Sequence, residues 1–95
     1  MTTADIKYRI NRRVFNRYLA QETSELGSER KVAQKVGVSH TLIRFIRRGR
    51  DDRNAPKTHV NLATARLFEA AWDMPRDVCF VAEAIDAREI SKQAA

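Results

Sequence analysis

Apolar positions along the chain recur mostly at intervals of three and four, the spacing of a helix that buries one side. Val14, Phe15, Tyr18 and Leu19 make the first such stripe, with Arg12, Arg13 and Arg17 on other faces. They predict a helix from about Asn11 to Ser24, closed off by Gly27. Ser28 is a good N-cap for a second helix, Glu29–Val36, and Glu29 suits the positive end of its dipole. Gly37 stops that helix in a left-handed conformation that glycine adopts cheaply. Ser39 then caps a third helix, His40–Arg48, which Gly49 ends. The stretch RDDRNAPK at 50–57 reads as a loop. Thr58 is expected to cap a fourth helix reaching about Trp72, with Ala63, Leu67, Ala70 and Ala71 on one side and Leu62 and Phe68 flanking it. Pro75 fits the first turn of a fifth helix running to Glu89 or beyond. Val78, Val81, Ala82 and Ile85 form its stripe, widened by Cys79, Phe80 and Ala84. Val, Ile and Thr nowhere alternate with polar residues over a useful length, so no strand is expected. The predicted fold is all-α, a compact five-helix bundle. Residues 1–10 read as a flexible basic N-terminal arm, 11–90 as the domain and 91–95 as a disordered tail.

Size and composition narrow the possibilities. The 95 residues are 43% hydrophobic and 32% charged, which suits one soluble globular domain. No apolar run approaches the ~18 residues of a membrane span, and the N-terminus has no continuous apolar stretch of the secretory kind. The single cysteine, Cys79, cannot form an internal disulfide, so a cytoplasmic location is expected. His40 and His59 lack metal-motif spacing with cysteine or with each other. There is no glycine-rich phosphate loop and no nucleophile–base grouping. The expectation is a binding protein with no catalytic residues, cofactor or metal.

Charge adds a direction. The net charge is +6, and it is unevenly placed. Residues 1–53 hold 13 basic and 6 acidic side chains, a net of +7, whereas residues 54–95 hold 5 and 6, a net of −1. The first half suits a polyanion and the second suits packing or protein contact. The bland alternative is a solvated basic face.

The most specific segment is Glu29–Gly49, ERKVAQKVGVSHTLIRFIRRG. Ala33 lies four residues before Gly37, where a small side chain lets two helices cross closely. Val32, Val36, Val38, Ile43 and Ile46 are apolar where a tight helix pair needs an interior. Stepping about 100° per residue around the third helix places His40, Arg44, Arg48, Thr41 and Arg47 within a sector of roughly 120°. Leu42, Ile43 and Ile46 occupy the other side. An outward face of His, Thr and three Arg suits the major groove, where Arg pairs with guanine O6 and N7.

This segment resembles the helix-turn-helix of the lambda-repressor-like family, which includes phage Cro proteins and repressors. The resemblance covers about 20 residues strongly. It implies a double-stranded DNA-binding regulator in which the start of the third helix reads bases. Here the candidate base readers are His40, Thr41, Arg44 and Arg48. The alternatives for His40 are a solvated surface histidine and a phosphate contact, and for Arg44 a phosphate contact. Candidate phosphate contacts are Arg30, Lys31, Ser39, Arg47, Arg50, Arg53 and Lys57. Lys7, Arg9, Arg12 and Arg13 form the arm, which could lie along a groove or fray into solvent. Two positions depart from the family. Phe45 stands where relatives often carry a polar reader, and could touch a thymine methyl or pack against Leu42. Glu29 stands where relatives often carry a glutamine that contacts phosphate, and its charge repels one.

The fifth helix is apolar around more of its circumference than one core contact needs, so Val78, Val81 and Ile85 are candidates for a homodimer interface. The expected function is a phage Cro-like repressor that occludes an operator as a homodimer, with no membrane contact and no small-molecule effector. An antitoxin-type autoregulator, an immunity repressor and a protein-interaction adaptor without DNA binding are the alternatives.

Overall fold

The structure, a computed structural model, describes residues 5–85. Its elements run β1 (Asp5–Ile10), α1 (Arg12–Leu26), α2 (Glu29–Val36), α3 (His40–Arg48), β2 (His59–Val60), α4 (Leu62–Ala71) and β3 (Phe80–Ile85). The fold is therefore four helices and a three-stranded antiparallel sheet of order β2-β1-β3, and the all-α five-helix expectation is overturned. The tail 91–95 and the far end of the expected fifth helix lie outside the described residues.

The helical part follows the sequence closely. Each of α1, α2 and α3 starts on a side-chain cap: Asn11 accepts from the Val14 N–H, Ser28 from Lys31 and Ser39 from Leu42. Each ends on a left-handed glycine, Gly27, Gly37 or Gly49. The second and third helices have the boundaries expected of them, and the first runs two residues further. The fourth begins later than expected. Asn61, not Thr58, caps it by accepting from the Thr64 N–H. The chain before it is drawn into the sheet, with His59 opposite Arg9 and Val60 opposite Tyr8.

Both ends of the chain need larger corrections. Residues 5–10 are no arm. They form the central strand, paired with β2 on one side and along their whole length with β3 on the other, from Asp5↔Ile85 to Ile10↔Phe80. The signal was present in Ile6-Lys7-Tyr8-Arg9-Ile10, which alternates apolar and polar. The fifth helix is replaced by β3. Asp73 and Asp77 both take positive φ, +49° and +65°, and a continuous helix cannot pass through such residues. β1 then supplies a partner for every residue from Phe80 to Ile85.

Sheet and helices meet around Phe15, which is fully buried. Its ring lies 5.3 Å from Phe68 of α4, 5.2 Å from Trp72 and 6.5 Å from Phe80 of β3. A second cluster, Val32, Ala33, Val36, Ile43 and Ile46, fills the space between α2 and α3 and joins the same core. Leu42 and Val38 pack against it from the edge. This interior holds α3 by its inner side.

Candidate nucleic-acid interface

α2 and α3 are joined by Gly37, Val38 and Ser39 alone. The Gly37 and Val38 N–H groups both donate to Ala33 O, 2.9 and 3.1 Å away, closing the end of α2 before the chain turns. Ala33 is 3% exposed, consistent with a close crossing at that point. Ile43 and Ile46 are buried on the inner side of α3. Thr41, Arg44, Arg47 and Arg48 are all exposed on the outer side, and His40 and Phe45 lie between.

The outer residues are not equivalent. Thr41 and Arg44 make no side-chain hydrogen bond or ion pair among the described residues, so both remain available to a ligand. Arg48 does not. Its Nε donates to Arg50 O at 3.0 Å and its Nη2 to Asp51 O at 2.7 Å, while its guanidinium carbon lies 5.5 Å from the Phe45 ring centre. The expected base reader at 48 is thus a brace for the loop that follows α3. Phe45 is half-buried beneath it.

His40 and Arg47 share one partner. Glu29, from the first turn of α2, places Oε1 3.4 Å from His40 Nε2 and Oε2 3.0 Å from Arg47 Nε. This triad joins the start of α2 to two turns of α3. Arg30 and Lys31 are the next residues of α2. Both are exposed, and neither forms an ion pair among the described residues. The Oγ of Ser39 is used as the α3 cap, accepting from the Leu42 N–H at 3.1 Å.

The loop after α3 is held from within. Asp51 Oδ1 accepts from the N–H groups of Arg53 and Ala55, both at 2.9 Å. Arg50 Nη1 donates to Asn54 O. The Lys57 N–H donates to Gly49 O, which closes the loop. Burial pushes the Lys57 ammonium below its ordinary pKa, with the Asp51 charge working against that and Lys7 reinforcing it. Of the loop's expected phosphate contacts, Arg53 is exposed with a side chain free of hydrogen bonds among the described residues. The Arg50 side chain is tied to the loop, and Lys57 is half-buried and held there by its backbone N–H.

The expected arm residues scatter. Arg12 donates to Arg48 O at 3.1 Å, satisfying a carbonyl at the end of α3. Arg9 pairs across the sheet with Glu83, its Nε 2.5 Å from Oε2. That pair raises the guanidinium pKa of Arg9 and lowers the carboxyl pKa of Glu83. Lys7 is half-buried in β1. Arg13 alone stays exposed without a partner among the described residues. Asn16 is a residue the sequence reading missed. It donates to Arg47 O at 3.3 Å and, with Arg12, fastens α1 to the end of α3.

No protein-family model, curated protein or solved structure matches the chain. The resemblance to repressor helix-turn-helix segments therefore rests on the residues of Glu29–Gly49 themselves. No group of three or more His, Cys, Asp or Glu side chains is placed to hold a metal among the described residues. No helix there is long and apolar enough to cross a membrane.

Proposed function

We propose that this chain is a sequence-specific double-stranded DNA-binding regulator of transcription that uses α3 as its reading helix. The observation that carries this reading is the two-sidedness of α3. Ile43 and Ile46 fix its inner side in the core, while Thr41 and Arg44 stand exposed on the outer side without a partner among the described residues. Arg44 is long and forked enough to reach a guanine edge, and Thr41 suits a base edge or a phosphate. Arg30, Lys31 and Arg53 supply exposed cations for the phosphates to either side. Repression by covering an operator, in the manner of a Cro-type protein, is the simplest use of such a small domain. An antitoxin-type autoregulator would share the same reading helix and differ in its protein partner.

We further propose that two copies act together through β3. Val78 and Val81 are 40% and 45% exposed, and β3 is an edge of the sheet. Its sequence FVAEAI carries only Glu83 against pairing with another strand. The C-terminal part of the chain also has almost no net charge, so copies meeting there would keep their basic faces apart. The expected stripe changes character, however. Val81 lies within the strand, Val78 precedes it, and the Ile85 side chain lies outside the described residues.

The test is selection of bound sites from a random duplex pool at moderate salt. An enriched palindrome with half-sites one helical turn apart supports both proposals. A single enriched half-site supports DNA reading and removes the dimer. Retention of every sequence alike, with strong salt dependence, removes the specific reading and leaves a basic surface.

A further inference from the structure

Glu29 places a negative charge at the edge of the surface that the proposed function turns toward DNA, where it opposes phosphate. Its bland role is to complement the dipole at the start of α2. The geometry asks for more than that. A carboxylate serving only the dipole needs no second helix. Here each oxygen has its own partner on α3, His40 at 3.4 Å and Arg47 at 3.0 Å. These two residues lie seven apart, about 10 Å along the axis, on one side of the helix. The Glu29 side chain is only 24% exposed, so it is folded in between them rather than extended into solvent. Arg44 lies between His40 and Arg47 in sequence and takes no part in the triad.

We propose that Glu29 is a specificity-determining residue: it withholds Arg47 from phosphate and positions His40 beside the exposed Arg44. This rests on the DNA-binding reading of α3. The two effects act on different complexes. On random duplex the surface binds through phosphates, and Glu29 weakens that binding by its own charge and by occupying Arg47. On a cognate site His40 must meet a base edge in one orientation, and a side chain already held there loses less rotamer freedom on binding. Glu29 therefore lowers random binding and supports cognate binding, and its removal moves the two in opposite directions.

Glu29→Gln tests this in the full chain, since it keeps the size and one acceptor but removes the charge. The probes are a random-sequence duplex and the duplex enriched by selection. The variant is expected to hold random duplex more tightly. Its affinity loss between 50 and 200 mM salt should grow by a further factor of about three, one phosphate contact's worth. The ratio of cognate to random affinity should fall roughly tenfold, the scale of one lost base contact. In an Arg47→Ala background the added salt dependence should shrink to what removal of the Glu29 charge alone gives, because the freed cation is gone.

An equal gain on both duplexes would overturn the proposal and reduce Glu29 to a repulsive charge. An equal loss on both, with a lower melting temperature, would overturn it in favour of a structural role. If wild type binds no duplex at all, the DNA reading itself falls and this inference with it. If wild type binds selectively but Glu29→Gln leaves the ratio unchanged, only this inference falls.

Discussion

Arg44 and Arg53 are both exposed arginines without a side-chain partner among the described residues, yet they are expected to do different things. Arg44→Ala should cost roughly 1–3 kcal/mol on the selected site and relax preference at one base pair. Arg53→Ala should weaken all duplexes alike and flatten the salt slope by about one unit. Titrations on cognate and random duplex at several salt concentrations separate the two. If both variants behave the same on both duplexes, the division into readers and anchors is wrong. Cys79 makes a prediction of another kind. Burial raises its thiol pKa from 9.0 to about 12, with a backbone hydrogen bond from Asn11 working against it. The folded state thus holds a proton that the unfolded chain releases, and the associated stability is fully present below about pH 9. It is lost as pH rises toward 12. Denaturant midpoints measured across that range should fall more steeply for the wild type than for Cys79→Ala. A thiol reagent at pH 8 should leave Cys79 untouched until the protein unfolds.

At the scale of elements, the ends of α3 matter most. Gly49 has φ +75°, and a Cβ there would collide with the Arg12 guanidinium that serves the Arg48 carbonyl. Gly49→Ala is expected to destabilise the fold by about 1 kcal/mol or more, read as a drop in the denaturant midpoint. The helices were legible from sequence because their determinants are local. Ser28, Ser39, Gly37 and Gly49 act within a few residues of where they sit. The strands were less legible. The run from Ile6 to Ile10 alternates but is short, and its cations invited the reading of an arm. Val78–Ile85 fits a helical stripe and a strand equally well, and only β1 decides between them. The same limit applies within the candidate site. The angular position of Arg48 placed it with the readers, yet its side chain turns to loop carbonyls that no helical projection includes.

The whole molecule depends on joining its two ends. β1 lies between β2 and β3, and Ile10 and Asn11 donate to Thr58 O and Cys79 O where the sheet meets the helices. A flexible arm could be removed at little cost. Deleting residues 1–10 should instead expose Phe80, Val60 and the unpaired edges of two strands. The expected result is loss of a cooperative thermal transition by circular dichroism. A truncated chain that melts cooperatively near the wild-type temperature would contradict the role given to β1. Assembly can be tested separately. Val81→Lys, which adds a second charge to the β3 edge, should shift sedimentation equilibrium toward monomer while preserving the circular dichroism spectrum.

Sequence by itself determined α2 and α3 to the residue, the course of most of α1, their caps and stops, the two-sidedness of the third helix and the concentration of positive charge in the first half. These are consequences of neighbours within four residues or of simple counting, and they need no knowledge of what the chain later meets. Tertiary structure decided that residues 5–10 and 80–85 pair as strands, that Arg12 bonds the end of α3 and Arg48 the loop after it, and that Glu29 gathers His40 and Arg47. Each of these depends on groups distant in sequence, up to 80 residues for Asp5 and Ile85. A strand is completed by its partner and an arginine by the nearest acceptor, and both are chosen only when the chain has closed on itself.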